Sequence, residues 1–309
     1  MTREIDLLVD RALAQMRHGD LNGAIESLRK ALTLDADHAH AHALIAICLR
    51  DQGRLHAAEH ESRTALALDP NLAFAHYAMG MTATAQRRFK LAEDHIKTAL
   101  AIDPENAAWL RALAQLYSLW NRPADAEPLL QKAREADPDD ADNWAALAEH
   151  YHQLRDFKQA ELHANQALQL EPENSSALVT MGYLLLRRGE TAEAREHALA
   201  VLNNDANDAN AIQLLVAIKA RQNILLGAWW RFSSFINGGS MTRRVVLLMG
   251  LFLAYRIASL LVVDMDYPQA RAPLQIAWLG FCVYTWVGPA IFQRQLNKEL
   301  TPARLSAKY

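Results

Sequence analysis

Cysteine is almost missing from this 309-residue chain: Cys48 and Cys282 are the only two, each inside an apolar stretch. A disulfide framework is therefore excluded, and a reducing compartment fits. Glycine (12 residues) and proline (10) are sparse beside 51% apolar residues, which removes disordered and fibrous readings. Met1 to Leu13 scatters acids and arginines among its apolar residues and lacks the continuous apolar run of a secretory signal. Phosphate-cradling glycine loops, a nucleophile elbow and a CxxC pair are also missing, so no enzyme, no cofactor and no small-molecule substrate are expected.

Positive charge is short in the body of the chain. Residues 1–222 carry 23 basic and 32 acidic side chains, whereas residues 223–309 carry 9 basic and 3 acidic ones. An acidic body cannot neutralise phosphates, which excludes nucleic acid as a partner, and the split points to two environments. Alanine is abundant, with 46 of its 55 residues before Gln222. Strong helix formers with few strand formers predict an all-α fold, and the length allows about two domains.

The abundant alanine is periodic. Acid-Pro pairs stand at Asp69-Pro70, Asp103-Pro104, Asp137-Pro138 and Glu171-Pro172, and Asp35-Ala36 and Asp205-Ala206 extend the ladder at the same 34-residue step. In that register one column is alanine throughout (Ala24, Ala58, Ala92, Ala126, Ala160, Ala194). A second is Ala31, Ala65, Ala99, Ala133, Ala167 and Val201, and a third is Ala12, Ala46, Gly80, Ala114, Ala148 and Gly182. Each unit reads as helix, break, helix, stop, with breaks near Gly19, Gly53, Arg87, Asn121, Arg155 and Gly189.

This period, with its small residue at the eighth position, alanine at the twentieth and twenty-seventh and proline at the thirty-second, resembles the tetratricopeptide repeat. It departs at the fourth position, where tryptophan occurs only as Trp144 and the others are Leu8, His42, His76, Leu110 and Leu178. The resemblance implies a right-handed superhelical solenoid of six helix pairs over residues 1–208, in a register starting near residue 5. A solvating helix over 209–223 would close it, with Ile212, Leu215, Val216 and Lys219 giving its apolar face. It further implies that positions two, five, nine and twelve of each first helix face a concave groove. Those positions place Phe74, Tyr77 and Met81 beside Arg111, Gln115 and Ser118, then Glu149 and His152, then Tyr183. Phe74 and Tyr77 are the expected anchors. The basic and asparagine set that clamps a terminal carboxylate in some members is not reproduced, since Val9 and Leu13 stand at the first-repeat positions. An internal peptide or helix of another protein is the expected ligand.

Beyond residue 223 the pattern changes. In residues 224–240, Leu225, Trp229, Phe232 and Ile236 share one helical face, and Trp229, Trp230 and Phe232 suit a membrane interface, followed by an Asn-Gly-Gly-Ser hinge. Two 19-residue apolar stretches within 241–293, at 245–263 and 274–292, carry a single charge, Arg256. They predict a transmembrane helical hairpin with lipid as a second partner. Arg256 either meets a membrane partner or reaches toward Asp264 or lipid phosphate. Arg221, Arg231, Arg243 and Arg244 flank the first stretch, Arg271 alone sits in the loop, and the basic tail 294–309 follows the second. The positive-inside bias puts the repeat array and the tail in the cytoplasm. The resemblance, to bacterial proteins of this type, implies the inner membrane. A membrane-anchored adaptor is thus the expected function, and the alternative is an accessory subunit that stabilises a membrane enzyme or envelope-assembly complex mainly through its hairpin.

Twelve histidines, among them His38, His40 and His42 beside Asp37 and the i,i+4 pair His56 and His60, are permissive but not specific for metal. His42 and His76 fall in the column that tryptophan often fills, so a structural role accounts for them and no metal is expected.

Overall fold

The computed structural model describes residues 2–222, 241–264 and 269–283, and among these there are helices and turns but no strand. Two compact units divide the chain, Met1–Leu184 and Leu185–Tyr309. The first holds five helix pairs: α1 (Thr2–Arg17) with α2 (Leu21–Leu34), α3 (Ala39–Asp51) with α4 (Leu55–Leu68), α5 (Ala73–Ala85) with α6 (Phe89–Ile102), α7 (Ala107–Leu119) with α8 (Pro123–Ala136), and α9 (Ala141–Gln153) with α10 (Phe157–Leu170). Helix α11 (Ser175–Arg188) crosses from the first unit into the second, which continues with α12 (Thr191–Asn204) and α13 (Ala209–Gln222).

Packing follows the alanine columns. Ala24, Ala58, Ala92, Ala126, Ala160 and Ala194 are all fully buried, as are Ala31, Ala65, Ala99, Ala133, Ala167 and Val201. Small side chains at these positions let paired helices approach until larger ones such as Leu28, Leu44, Ile96, Leu116 and Leu147 interdigitate between them with no exposed surface. The third column shows how tight the approach is. A Cβ added at Gly80 would sit 2.5 Å from Ile96 Cγ1 and 3.3 Å from the Ala92 carbonyl oxygen.

The break inside each repeat has one geometry. Residues 19, 53, 87, 121, 155 and 189 all adopt left-handed backbone, with φ of +72°, +74°, +58°, +60°, +64° and +98°. The following residue in each case donates its N–H to a carbonyl five residues back, from Asp20 to Gln15 through Glu190 to Leu185, at 2.8–3.0 Å. This closes the first helix with a Schellman turn. Glycine reaches that conformation without strain, whereas Arg87 and Arg155 carry a Cβ that opposes it. The stop at the end of each repeat is chemical as well. Asp35, Asp69 and Asp205 accept the N–H of the residue two positions on, at 3.1, 2.9 and 2.9 Å, and in the four inner repeats the proline after the acid forbids a further helical turn.

The loose fourth column is explained by one bond. Trp144 Nε1 donates to the Pro138 carbonyl at 2.8 Å, and His76 and His42 reach the carbonyls of Pro70 and Ala36, also six residues back, at 3.0 and 3.3 Å. The histidines do the tying that tryptophan does once. Adjacent repeats are also joined at a fixed offset. Tyr117 donates to buried Glu93 at 2.8 Å, and Tyr151 donates to Glu127 at 2.7 Å, each pair 24 residues apart. Glu93 additionally accepts from Lys97 at 2.8 Å and Lys90 at 3.1 Å. These bonds, led by that from Lys97, hold its pKa down to about 2 against the opposing effect of burial.

Within the second unit, the apolar face of α13 is Ala211, Leu214, Leu215 and Ile218, all fully buried. Of the face expected from sequence, Leu215 and Val216 are buried, whereas Ile212 and Lys219 are only half-buried at its edge. Helix Met241–Asp264 and the helix over 269–283 meet through Tyr255, which stacks on Trp278 at 4.5 Å between ring centroids. Among the described residues no helix is long and apolar enough to cross a membrane. The two expected spans are therefore not established by the fold. Of 245–263, the side chains of Val245, Leu247, Leu248 and Val263 lie outside the described residues, as do those of Arg243 and Arg244, and the remainder contains Arg256. The second helix is described only to Val283; at 1.5 Å per residue it falls short of a bilayer core of about 30 Å. The segment with Trp229, Trp230 and Phe232, the hinge and the tail 294–309 also lie outside the described residues. Arg256 is exposed, and no ion pair joins it to Asp264.

Two outcomes are expected from the turns and the packing. Arg87→Gly and Arg155→Gly should each raise the unfolding free energy by about 1 kcal/mol, because they relieve left-handed strain. Gly80→Ala should lower it by about 1 kcal/mol, since overpacking outweighs the gain in helix propensity; denaturant midpoints measure both. Acid should weaken the array. Burial pushes the pKa of His40, His95, His150, His152 and His163 below the ordinary value, and nearby His76 lowers His95 further. Below about pH 6.5 the unfolded chain thus binds more protons than the folded one. Melting temperature should fall as pH drops from about 6.5 to 5, by about 2–4 °C per kcal/mol lost. Glu93 stays ionised in the folded chain throughout that window and begins to add to the loss near pH 5, where the unfolded chain starts to take up its proton.

Candidate functional site

The first helices of successive repeats line up their exposed faces, and across α5, α7, α9 and the start of α11 they form a groove of about 260 Å³. Tyr77 and Met81 come from α5, and Arg111, Gln115 and Ser118 from α7. Asp142, Ala146, Glu149, His150 and Gln153 come from α9, and Ser176 from α11. Six of the nine residues expected from the repeat register therefore lie together: Tyr77, Met81, Arg111, Gln115, Ser118 and Glu149. Phe74 stands beside the groove rather than in it, packed between His40 at 4.8 Å and Tyr77 at 5.8 Å. His152 and Tyr183 pair with each other at 5.6 Å and do not line the groove.

An aromatic wall holds the α5 end. Tyr77 packs on Trp109 at 4.3 Å, and Phe74 approaches the same indole at 5.9 Å. Trp109 is 8% exposed and its Nε1 has no hydrogen-bond partner. Such a donor is costly to bury. Its ring fixes where Tyr77 stands.

The polar side of the groove is unevenly charged. Arg111 donates to Asp140 at 2.6 Å and Asn143 at 2.5 Å, and lies 3.6 Å from Asp142. Its guanidinium is thus engaged within the chain, and a ligand carboxylate would have to displace those acids. Glu149, by contrast, accepts only a 3.2 Å bond from Gln153 and has no ion-pair partner among the described residues. Its side chain is exposed, yet the neighbouring groove walls partly desolvate it and raise its pKa despite that bond. Behind it His150 is 3% exposed with neither ring nitrogen hydrogen-bonded, and burial keeps it neutral.

Asp142 and Ser176 occupy the second position of their repeats, so the register rule that selected Phe74 finds them equally. His150 carries a different signal. It stands in a column whose other members include the buried Cys48, Thr82, Leu116 and Leu184, where an ionisable ring is out of place. Three of the histidines singled out as metal candidates serve locally: His38 caps α3 by accepting the Ala41 N–H at 3.1 Å, His40 packs on Phe74, and His42 meets Glu61 at 2.7 Å. Among the described residues no group of three or more His, Cys, Asp or Glu could hold a metal ion.

Known proteins with similar structure share the helix-pair architecture. A thermophilic TPR protein of Thermus thermophilus matches at 19% identity, covering 59% of this chain and 99% of that one, with a TM-score of 0.55. PilW, a type IV pilus biogenesis factor, matches at 17% identity over 68% of this chain and 98% of its own, with a TM-score of 0.52. The APC/C hetero-tetramer Cut9-Hcn1 matches at 18% identity over 69% of this chain and 42% of its own, with a TM-score of 0.55. At these identities the likeness concerns fold alone, and no curated protein matches the chain. The profile of the tetratricopeptide repeat family matches residues 15–83, 83–151, 121–163 and 151–218. With the 34-residue turns, the buried alanine columns and this match in agreement, the chain belongs to the tetratricopeptide repeat family.

Proposed function

We propose that the chain is a membrane-anchored adaptor whose groove takes an internal peptide or helical segment of another protein. The groove carries this reading: it is open, spans three consecutive first helices and part of a fourth, and joins an aromatic wall to unsatisfied polar groups. Nothing in it forms a nucleophile–base pair or another catalytic arrangement. Arg111 is held by Asp140 and Asn143, which favours an internal segment over a chain terminus.

Anchoring is supported by the second unit. Along helix Met241–Asp264, Val246 (63% exposed), Met249, Phe252, Leu253, Ile257 and Leu260 leave one broad apolar face uncovered. A soluble helix hides its apolar face, so one left bare needs an apolar surrounding. Lipid supplies that surrounding, with the array and the tail on the cytoplasmic side of a bacterial inner membrane, as the arginine distribution favours. An apolar cleft between the two C-terminal helices, lined by Ala254, Ala258, Ala277 and Trp278, supports a second reading. In it the chain is an accessory subunit that stabilises a membrane enzyme or envelope-assembly complex through these helices.

Crosslinking in native membranes followed by mass spectrometry should recover partners whose links to the wild-type groove disappear in a Tyr77→Ala/Met81→Ala variant. Full retention of those links would overturn the groove, and partners linked solely to residues 241–283 would establish the accessory role. For orientation, alkaline phosphatase fused after Tyr309 should be inactive and inserted near Gln269 active; the opposite pattern would reverse the topology.

A further inference from the structure

Three sites offer unsatisfied chemistry. Cys48 is buried with its thiol pKa pushed up to about 11, chiefly by that burial, which makes it inert. His76 and His95 face each other at 3.1 Å, but His76 is already tied to Pro70 and the pair serves the repeat stack. The groove is different, because its unmet groups stand together.

We propose that the groove selects an internal segment carrying an arginine or lysine next to an apolar residue, the cation meeting Glu149 and His150 and the apolar group meeting Tyr77 and Met81. This rests on the adaptor reading above and adds the identity of the recognised side chain. The argument starts from charge. The charged side chains lining the groove are Arg111, Asp142 and Glu149. Asp140 and Asn143 occupy the guanidinium of Arg111, with Asp142 3.6 Å away. The site is therefore acidic in excess, and its one cation is already neutralised.

Glu149 is the acid without a counter-ion. Its carboxylate is exposed on the groove face and within reach of a ligand, and an N–H donated to it is charge-assisted. His150 supplies the independent observation. It lines the same groove, is 3% exposed, and has neither ring nitrogen bonded. A neutral imidazole keeps one nitrogen as an acceptor; both nitrogens are enclosed, so a ligand ammonium or guanidinium bonded to Glu149 gains this second bond once the ring turns toward the groove. A carboxylate or phosphate ligand would meet the opposite arrangement, a repelling acid. The stem of a lysine or arginine is apolar and suits the floor made by Ala112 and Ala146.

The test is selection from a displayed library of random 12-residue peptides flanked on both sides by fixed sequence, against the full-length chain in detergent. Four forms are compared: wild type, Glu149→Gln, His150→Leu and Tyr77→Ala/Met81→Ala. Leucine at 150 matches Leu116 and Leu184 in the same buried column, so that variant keeps the fold, and circular dichroism verifies all four. On wild type, arginine or lysine at one position beside an apolar residue should be enriched about tenfold, the worth of one charge-assisted bond. Glu149→Gln should abolish the basic enrichment while apolar selection persists, and His150→Leu should reduce it. Selection of peptides without a basic preference, lost in the Tyr77→Ala/Met81→Ala variant, would overturn this proposal and leave the adaptor reading standing. If wild type and that double variant select no distinguishable peptides, the groove is not a peptide site and both fall.

Discussion

The whole first unit depends on how closely two backbones can come together. Wherever a repeat pairs its helices, the meeting points are alanines with no exposed surface, and at Gly80 even a methyl group has no room. Close approach fixes the spacing within a pair, and a fixed spacing repeated every 34 residues fixes how one pair stacks on the next. Each repeat touches only its neighbours, so no central core holds the array together. Apolar burial occurs instead as a succession of local clusters, one centred on Leu28, Leu44 and Ala58, another on Ile96, Leu113 and Leu116.

Stacking of this kind leaves the first helices with one face turned toward neighbours and another left free, and the groove is the sum of those free faces. What distinguishes it from inert surface is the distribution of partners. The chain satisfies Arg111, Tyr117 and Tyr151 from within, but leaves Glu149 without a cation and His150 without any bond. The tyrosine–glutamate bonds strengthen the stack beside the groove.

Periodic features were legible in the sequence because they are imposed six times. The acid-Pro stops, the alanine columns and even the six left-handed breaks stand in one register, and a position under the same constraint in every copy announces itself. Features made once, or across copies, were harder to see. The Glu93–Tyr117 and Glu127–Tyr151 bonds join residues in different repeats, a spacing that no single-helix pattern contains. His150 looks like any other polar residue until its column is known to be buried. On α13 packing turns Leu214 and Ile218 fully inward, keeps Leu215 and Val216 buried beside them, and leaves Ile212 at the edge. In the groove the register named six side chains that lie together, but it could not distinguish residues whose bonds are complete from those whose bonds are not.

The left-handed turns have a consequence of their own. Glycine makes the turn after α1, α3 and α11, whereas Arg87, Asn121 and Arg155 make it after α5, α7 and α9, the helices that contribute most of the groove. In a linear array a local cost is not shared with distant repeats, so the central repeats carry conformational strain that the outer ones escape. The groove therefore stands on the repeats whose turns are locally strained, and it is there that the Glu93–Tyr117 and Glu127–Tyr151 bonds clamp one repeat to the next, so that strain in the turn and reinforcement between neighbours fall on the same repeats.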